Sequence, residues 1–489
     1  MELYERVKNT MNIVFTASEC APFFKTGGLG DVMGALPKEL ATGEHDVRVI
    51  LPYYKQKMPE KYQNQLKDIT SFNLKVGWRN QYCGIKALSQ DNVTYYFVDN
   101  LYYFDRPTLY DYADDGERFA FFSQAVIEML EKIEFIPDIL HVNDWQTAVI
   151  PVLLKDKYHW VNALKDIKTV LTIHNILFQG KFDQAVLSDL FDMGYSAYHD
   201  HGLKYEDQVG WLKGGIYYAD LVTTVSPTYA KEIKTPENGY GLNEDLSNIS
   251  YKLVGILNGI DYDIYDPEKD PTIPNNFSVK DFSGKAKNKM VLQERFGLPV
   301  NEKVALIGIV TRLDEQKGVQ LITEAMDELM SYRNVQVVLI GTGKDYFEDS
   351  FRYFSNKYPE KFSAKIEFDS DLAQLIYAGS DAFLMPSKFE PCGLSQLNSL
   401  RYGTLPIVHE VGGLVDTVAA YNKETGKGDG FTFYGFNART MLDTIDRALT
   451  VYYEKPDQWK KMMVRGMNKD NSWHKSAEKY LDQYKYLVY

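Results

Sequence analysis

Cationic excess is absent from this sequence. Its formal net charge is −13 over 489 residues, which excludes general nucleic-acid binding and confines any phosphate binding to local sites. Cysteine is scarce as well. Cys20, Cys83 and Cys392 are too widely spaced for a zinc pattern or a disulfide framework, and they fit a reducing cytoplasm. The eight histidines show no His-Glu-x-x-His or similar spacing, so no metal site is expected. No apolar run is long enough to span a bilayer, so no membrane partner is expected. The opening segment, residues 1–6, has neither a signal-peptide core nor the Arg-rich bias of a transit peptide. A cytoplasmic location is the expectation.

What is present is an alternation. Short apolar runs alternate with longer helical patterns throughout, the signature of α/β architecture with parallel sheets. In the first half the strand candidates are residues 12–16, 47–51, 94–98, 139–142, 169–173 and 221–225. The pattern restarts after Asn258-Gly259-Ile260-Asp261, through a linker rich in Pro, Asp and Asn and a basic helical segment at 280–296. A second series follows at 304–310, 335–340, 365–368, 382–385 and 405–408, and the chain closes on a tyrosine-rich helical pattern at 476–489. Such a length is too great for one ordinary core, and two domains are expected with the boundary near Val254. Aromatic residues make up 14% of the chain. Much of that is ordinary core, though it would also suit a carbohydrate-facing cleft, where sugar faces stack on rings.

Several strand candidates end in residues with chemistry. His141-Val142-Asn143-Asp144-Trp145 and Ile173-His174-Asn175 both do so, and ligands of open α/β sheets bind beyond the carboxyl ends of strands. Two glycine turns stand out, Lys25-Thr26-Gly27-Gly28-Leu29-Gly30-Asp31 and Phe389-Glu390-Pro391-Cys392-Gly393-Leu394. Each follows an apolar run and opens a helical pattern, where unpaired N–H groups and the helix dipole favour an anion. Lys25 could bring a point charge to a phosphate, or be a surface lysine on a tight turn. Arg312, at the end of a strand, and Lys317, just before Gly318, combine a planar fork with a point charge. That pair suits a phosphate, or a solvated loop. Glu390 could stabilise positive charge developing on a sugar ring or bind its hydroxyls. Cys392 reads as a small turn residue and not as a nucleophile.

Two motifs are decoys. Asp261-Tyr262-Asp263 has the spacing of a metal-binding pair but lies in the turn-rich linker. Gly341-Thr342-Gly343-Lys344 resembles the end of a P-loop but lacks the first glycine and has Asp345 where Ser or Thr is needed.

Together these residues resemble the bacterial glycogen synthase and plant starch synthase family. The likeness runs from about Met11 to the C-terminus. It is carried by Lys25-Thr26-Gly27-Gly28-Leu29, Asn143-Asp144-Trp145, Thr172-Ile173-His174-Asn175, Thr224-Val225-Ser226-Pro227, Leu257-Asn258-Gly259-Ile260-Asp261, the Arg312 to Lys317 segment and Phe389 to Leu394, in the family's order. Gln146 departs from a common histidine, and Ser395 from a frequent threonine.

The resemblance implies a GT-B fold, two Rossmann-like doubly wound domains with an interdomain cleft that closes on the donor. The N-terminal domain would be residues 1–253, joined by a C-terminal helix at 469–489, and the nucleotide-sugar domain 254–468. It implies transfer of glucose from ADP-glucose to the non-reducing end of an α-1,4-glucan such as glycogen, with retention and without a cofactor. UDP-glucose as donor, or a non-catalytic glucan-binding scaffold, are the alternatives. A phosphorylase would carry a pyridoxal lysine signature that is not evident. By resemblance Arg312 and Lys317 bind the diphosphate, with Lys25 near it. Gly27, Gly28 and the Cys392-Gly393-Leu394 turn would add backbone donors, and Phe368 would stack on the base. Asp144, His174, Asn258 and Glu390 would hold the glucose, and Glu19 would lie near the acceptor.

Overall fold

The computed structural model describes residues 10–489. The opening segment weighed above for a targeting peptide lies outside the described residues. The chain divides into two compact units. One extends through Asn258 and includes Trp473–Tyr489; the other is Gly259–Ser472.

The first unit is built on a nine-stranded sheet. Its strands are β1 (Asn12–Thr16), β2 (Asp46–Pro52), β3 (Lys67–Val76), β4 (Arg79–Gln90), β5 (Val93–Asp99), β6 (Ile139–Asn143), β7 (Lys168–Ile173), β11 (Leu221–Thr224) and β12 (Leu253–Gly255). A separate three-stranded sheet holds β8 (Lys181–Phe182), β9 (Lys204–Tyr205) and β10 (Gln208–Gly210). The large sheet runs β12-β11-β7-β6-β1-β2-β5-β4-β3. All pairings are parallel except β3 with β4 and β4 with β5. Strand order reverses between β1 and β6, so the crevice for a ligand opens at their carboxyl ends.

The second unit carries six parallel strands in the order β15-β14-β13-β16-β17-β18. These are β13 (Ala305–Val310), β14 (Val335–Ile340), β15 (Phe362–Lys365), β16 (Ala382–Met385), β17 (Leu405–His409) and β18 (Phe431–Phe433). Helices cover both faces, which is why these strands read as continuous apolar runs. Alternate residues enter separate cores. Ile307, Val337 and Leu384 pack on one face, and Leu306, Val338 and Phe383 on the other. The reversal here lies between β13 and β16, the strands that lead to Arg312 and Glu390.

One expected strand is misplaced. Residues 365–368 were expected to pair, but the strand is Phe362–Lys365. The chain leaves the ladder because Asp369 caps the next helix, Ser370–Gly379, accepting from Asp371 N–H and Leu372 N–H, each at 2.9 Å. Phe368 is left in the intervening loop, 86% exposed.

The tyrosine-rich C-terminal segment forms the helix Trp473–Val488. Ser476 Oγ donates to Leu257 O at 2.6 Å. Tyr480 and Tyr484 are fully buried. Tyr484 Oη lies 2.6 Å from His141 Nδ1, and His141 Nε2 lies 2.6 Å from Thr172 Oγ1. Burial, followed by the neighbouring His174, lowers the His141 pKa to about 3. A neutral ring in a dry sheet face needs both nitrogens satisfied. Tyr484→Phe strands His141 Nδ1, and the expected cost is on the order of 1–3 kcal/mol. Chemical denaturation of the variant measures it; an unchanged unfolding midpoint would remove the tyrosine from the stabilising set.

Candidate functional site

In the first unit, Glu19 follows β1 and is buried. Its carboxylate organises the glycine turn: Oε2 accepts from Thr26 N–H at 2.6 Å and from Thr26 Oγ1 at 2.8 Å, and Oε1 accepts from Gly30 N–H at 3.2 Å. Burial raises its pKa, while these hydrogen bonds pull it back. The helix Gly28–Leu40 starts inside this turn, with Gly27 at its cap position and no side-chain cap. Among the described residues, no atom beyond its chain neighbours and its own helix backbone lies within 4 Å of where a Gly28 Cβ would stand. The protein's own packing therefore does not demand glycine at 28; its absence of side chain leaves open space at the helix start. Lys25 Nζ pairs with Asp31 Oδ1 at 2.6 Å on the surface, with the lysine side chain 41% exposed. An exposed pair of this kind is weak enough to exchange for a ligand.

Asp144 stands directly after β6 with φ of 53°, a left-handed conformation that costs a non-glycine residue energy. Its carboxylate compensates by accepting across to the end of β7. His174 N–H donates to Oδ1 at 2.7 Å and Asn175 N–H at 3.4 Å. Burial raises the Asp144 pKa to about 7, with a smaller push from Glu19, against these backbone donors. The His174 ring rests on Asn143, with Nε2 at 2.9 Å from Oδ1, and burial lowers its pKa to about 3. Asn258 is buried, and its Oδ1 has no hydrogen-bond partner. A buried acceptor without a donor is what a sugar hydroxyl would satisfy. Gln146 Oε1 is in the same condition.

In the second unit, Arg312 follows β13 and is largely exposed; its side chain pairs with Asp314 at 3.5 Å. Lys317 is placed from both ends. Its N–H donates to Asp314 Oδ1 at 3.0 Å, and Nζ reaches Glu390 Oε2 at 2.6 Å. Ser387 Oγ donates to the same Glu390 oxygen at 3.0 Å, and Ser387 O meets His409 Nδ1 at 2.8 Å. Gly318 lets the two loops touch: its φ is +70°, and a Cβ there would stand 1.9 Å from Pro386 O. A pocket of about 160 Å³ opens between them, lined by Arg312, Lys317, Ser387 and Ser395 among others. Cys392 is buried, Gly393 has φ of +72°, and Leu394 opens the helix Ser395–Arg401. Phe368 lies on the exposed loop after β15.

The decoys find structural places. Asp261 Oδ1 accepts from Asp263 N–H at 2.8 Å, an Asx turn, and Asp263 faces Lys269 at 3.9 Å. The Gly341 to Lys344 turn braces the Arg312 loop through Leu313 N–H to Thr342 O at 2.9 Å and Lys344 N–H to Leu313 O at 2.9 Å.

Sequence reasoning missed Asn143 as a partner of the ring, Ser387 and His409 behind Glu390, and Tyr110. Tyr110 hydrogen-bonds Ser18 at 2.7 Å, and its hydroxyl pKa is raised by burial with Glu19 and Asp144 nearby. Asn143 and Ser387 were legible only as residues flanking strand ends. Nothing in the sequence pointed to Tyr110.

Asp144 yields a pH-dependent prediction. Its folded pKa is raised from 3.8 to about 7. Folding is therefore favoured by its protonation at low pH, and that contribution is lost as pH rises through about 7. Asp144→Asn keeps an acceptor for His174 N–H and has no charge to bury. Because the side chain is partly open, the expected gain at pH 8 over pH 5 is about 1 kcal/mol, or ~2–4 °C in Tm. Calorimetry at both pH values checks this, and a difference independent of pH would refute the titration.

Known proteins resemble this chain over nearly its whole length. A model of the starch synthase catalytic domain matches residues 12–248, and one of glycosyl transferases group 1 matches 291–463. A glycogen synthase of Ligilactobacillus salivarius (strain UCC118) is 55% identical over 98% of this chain and 100% of its own. One of Lactococcus lactis subsp. lactis (strain IL1403) is also 55% identical, over 98% and 100%. The solved catalytic domain of starch synthase IV from Arabidopsis thaliana, bound to ADP and acarbose, superposes with a TM-score of 0.91 at 33% identity, covering 98% of this chain and 99% of that one. The two-domain α/β architecture with parallel sheets is that of GT-B glycosyltransferases. The chain belongs to the family of bacterial glycogen synthases and plant starch synthases.

Proposed function

We propose that this chain transfers glucose from ADP-glucose to the non-reducing end of an α-1,4-glucan, with retention at the anomeric carbon and release of ADP. The observation that carries the proposal is the cluster of Arg312, Lys317 and Glu390 at the carboxyl ends of β13 and β16, in a chain matched over 98% of its length by a glycogen synthase. ADP as the nucleotide rests on the Arabidopsis starch synthase, which was solved with ADP.

The leaving group is a diphosphate whose negative charge grows as the glycosidic bond to phosphate breaks. Arg312 offers an exposed fork and Lys317 a point charge, so both stabilise the product side more than the ground state. Glu390 shares Lys317 with that phosphate and is itself held by Ser387. As the sugar becomes oxocarbenium-like, a fixed carboxylate at Glu390 favours the positive ring and its hydroxyls. Asp144, His174 and Asn258 hold the glucose, and Lys25 with the open Gly27-Gly28 turn adds donors for phosphate. Phe368 stacks on the base, where its exposure leaves a ring face available. Gly393 and Leu394 contribute N–H donors, and Cys392 serves as a small buried turn residue. Glu19 acts through the turn it holds together. Three buried cysteines suit a cytoplasmic enzyme.

Arg312→Ala and Lys317→Ala should each lower kcat by on the order of 10²–10³-fold. They should differ in stability. Arg312 is 58% exposed, so its removal leaves Tm unchanged; removing Lys317 leaves the 6%-exposed Glu390 carboxylate uncompensated and lowers Tm. ADP release and melting curves read both effects, and a loss confined to KM would show that the cations only hold the donor. Because the cations stabilise the leaving charge, transfer should survive exhaustive chelation. Side-by-side kinetics decide the donor: faster turnover with UDP-glucose than with ADP-glucose would reverse the assignment.

A further inference from the structure

The His174 ring is held by an amide whose orientation is itself determined. Asn143 is 2% exposed. Its Nδ2 lies 3.1 Å from Thr16 O and 3.4 Å from His141 O, both carbonyl oxygens. Carbonyl oxygens only accept, so the amide nitrogen must face them and Oδ1 must face the ring. Oδ1 has no proton to give. The ring nitrogen 2.9 Å away, Nε2, is therefore the one that carries hydrogen.

We propose that Asn143 is a positioning residue: it holds His174 as the Nε2–H tautomer and so presents a bare Nδ1 as hydrogen-bond acceptor to a hydroxyl of the bound sugar. The sugar half of this assignment rests on the proposed function; the tautomer half rests on geometry alone. Burial keeps the ring neutral, which leaves one nitrogen with a lone pair. Among the described residues no protein hydrogen bond reaches His174 Nδ1. The backbone holds the ring's base in place as well, through His174 N–H on Asp144 Oδ1 at 2.7 Å.

The arrangement has a chemical consequence. A charged imidazolium would oppose positive charge growing on the sugar ring, and a ring with exchanging tautomers would offer a donor or an acceptor at random. A single neutral tautomer with its acceptor outward does neither. His174 then orients a hydroxyl and has no proton to deliver to the leaving group. Asn143 gathers the ends of three strands to do this: β1 through Thr16 O, β6 on which it lies, and β7 through His174.

The test is direct. The chain has eight histidines, so protein labelled with [15N]histidine gives a tractable long-range 1H–15N spectrum. His174 signals are those lost in His174→Gln. At pH 7 its Nε2 should show the shift of a protonated nitrogen and its Nδ1 that of an unprotonated one. Asn143→Ala should bring the two shifts toward each other as tautomers mix, and lower kcat with ADP-glucose and glycogen about tenfold. A wild-type ring protonated on Nδ1, on both nitrogens, or exchanging between tautomers overturns the proposal, as does an Asn143→Ala spectrum identical to wild type. If Asn143→Ala does not fold, the wild-type spectrum alone decides. A wild type with the assigned tautomer but no transfer from ADP-glucose would sink the proposed function and leave the tautomer standing.

Discussion

Parallel strands buried on both faces leave little room for chemistry except at their carboxyl ends, and this protein's candidate residues obey that constraint. In the first unit β1, β6 and β7 lead to Glu19, Asp144 and His174. In the second, β13 and β16 lead to Arg312, Lys317 and Glu390. The strand interiors are occupied by packing, with successive residues assigned to opposite cores. A polar group inside the sheet is costly unless hydrogen-bonded, and His141 has both ring nitrogens engaged, between Tyr484 and Thr172.

The same constraint explains how the functional groups are held. A strand end has lost its ladder partners, so its backbone needs others. Asp144 and Glu19 supply them, each carboxylate accepting from backbone N–H groups of a neighbouring segment. Their burial raises both pKa values, and the backbone donors moderate the rise. Asp144 shows the cost of this placement most plainly, in its left-handed backbone. The second unit solves the problem differently. There a cation and a hydroxyl hold Glu390, and the lysine that neutralises it is the group proposed to meet phosphate.

The proposed chemistry follows from where charges are fixed and where they are free. Glu390 is pinned by Ser387 and Lys317, whereas Arg312 is mostly solvated and pairs with Asp314 at 3.5 Å. Charges pinned before the substrate arrives need no reorganisation during reaction, which is the source of their effect on rate. Solvated ones supply attraction and orientation. The neutral ring of His174 belongs with the pinned groups, because its one protein-bonded nitrogen is held by an amide whose own nitrogen is engaged by Thr16 O and His141 O.

Much of this was legible in the sequence because parallel strands are short apolar runs with abrupt polar ends. Residues 12–16, 335–340 and 382–385 were located as strands to the residue, and the chemistry-bearing positions followed from where those runs stop. The antiparallel pair β3 and β4 was not legible, since an edge hairpin half open to water mixes polar residues among its apolar ones and has no continuous apolar run. Phe368 was expected on a strand, but that strand ends at Lys365 because a helix cap four residues later outcompeted the ladder. What only the tertiary structure decided is partnership. That Glu19 holds the glycine turn, that Ser387 and His409 stand behind Glu390, and that Asn143 faces the His174 ring depend on which strand ends become neighbours. A strand order such as β7-β6-β1 joins residues more than a hundred positions apart, and no local pattern in the sequence encodes that choice.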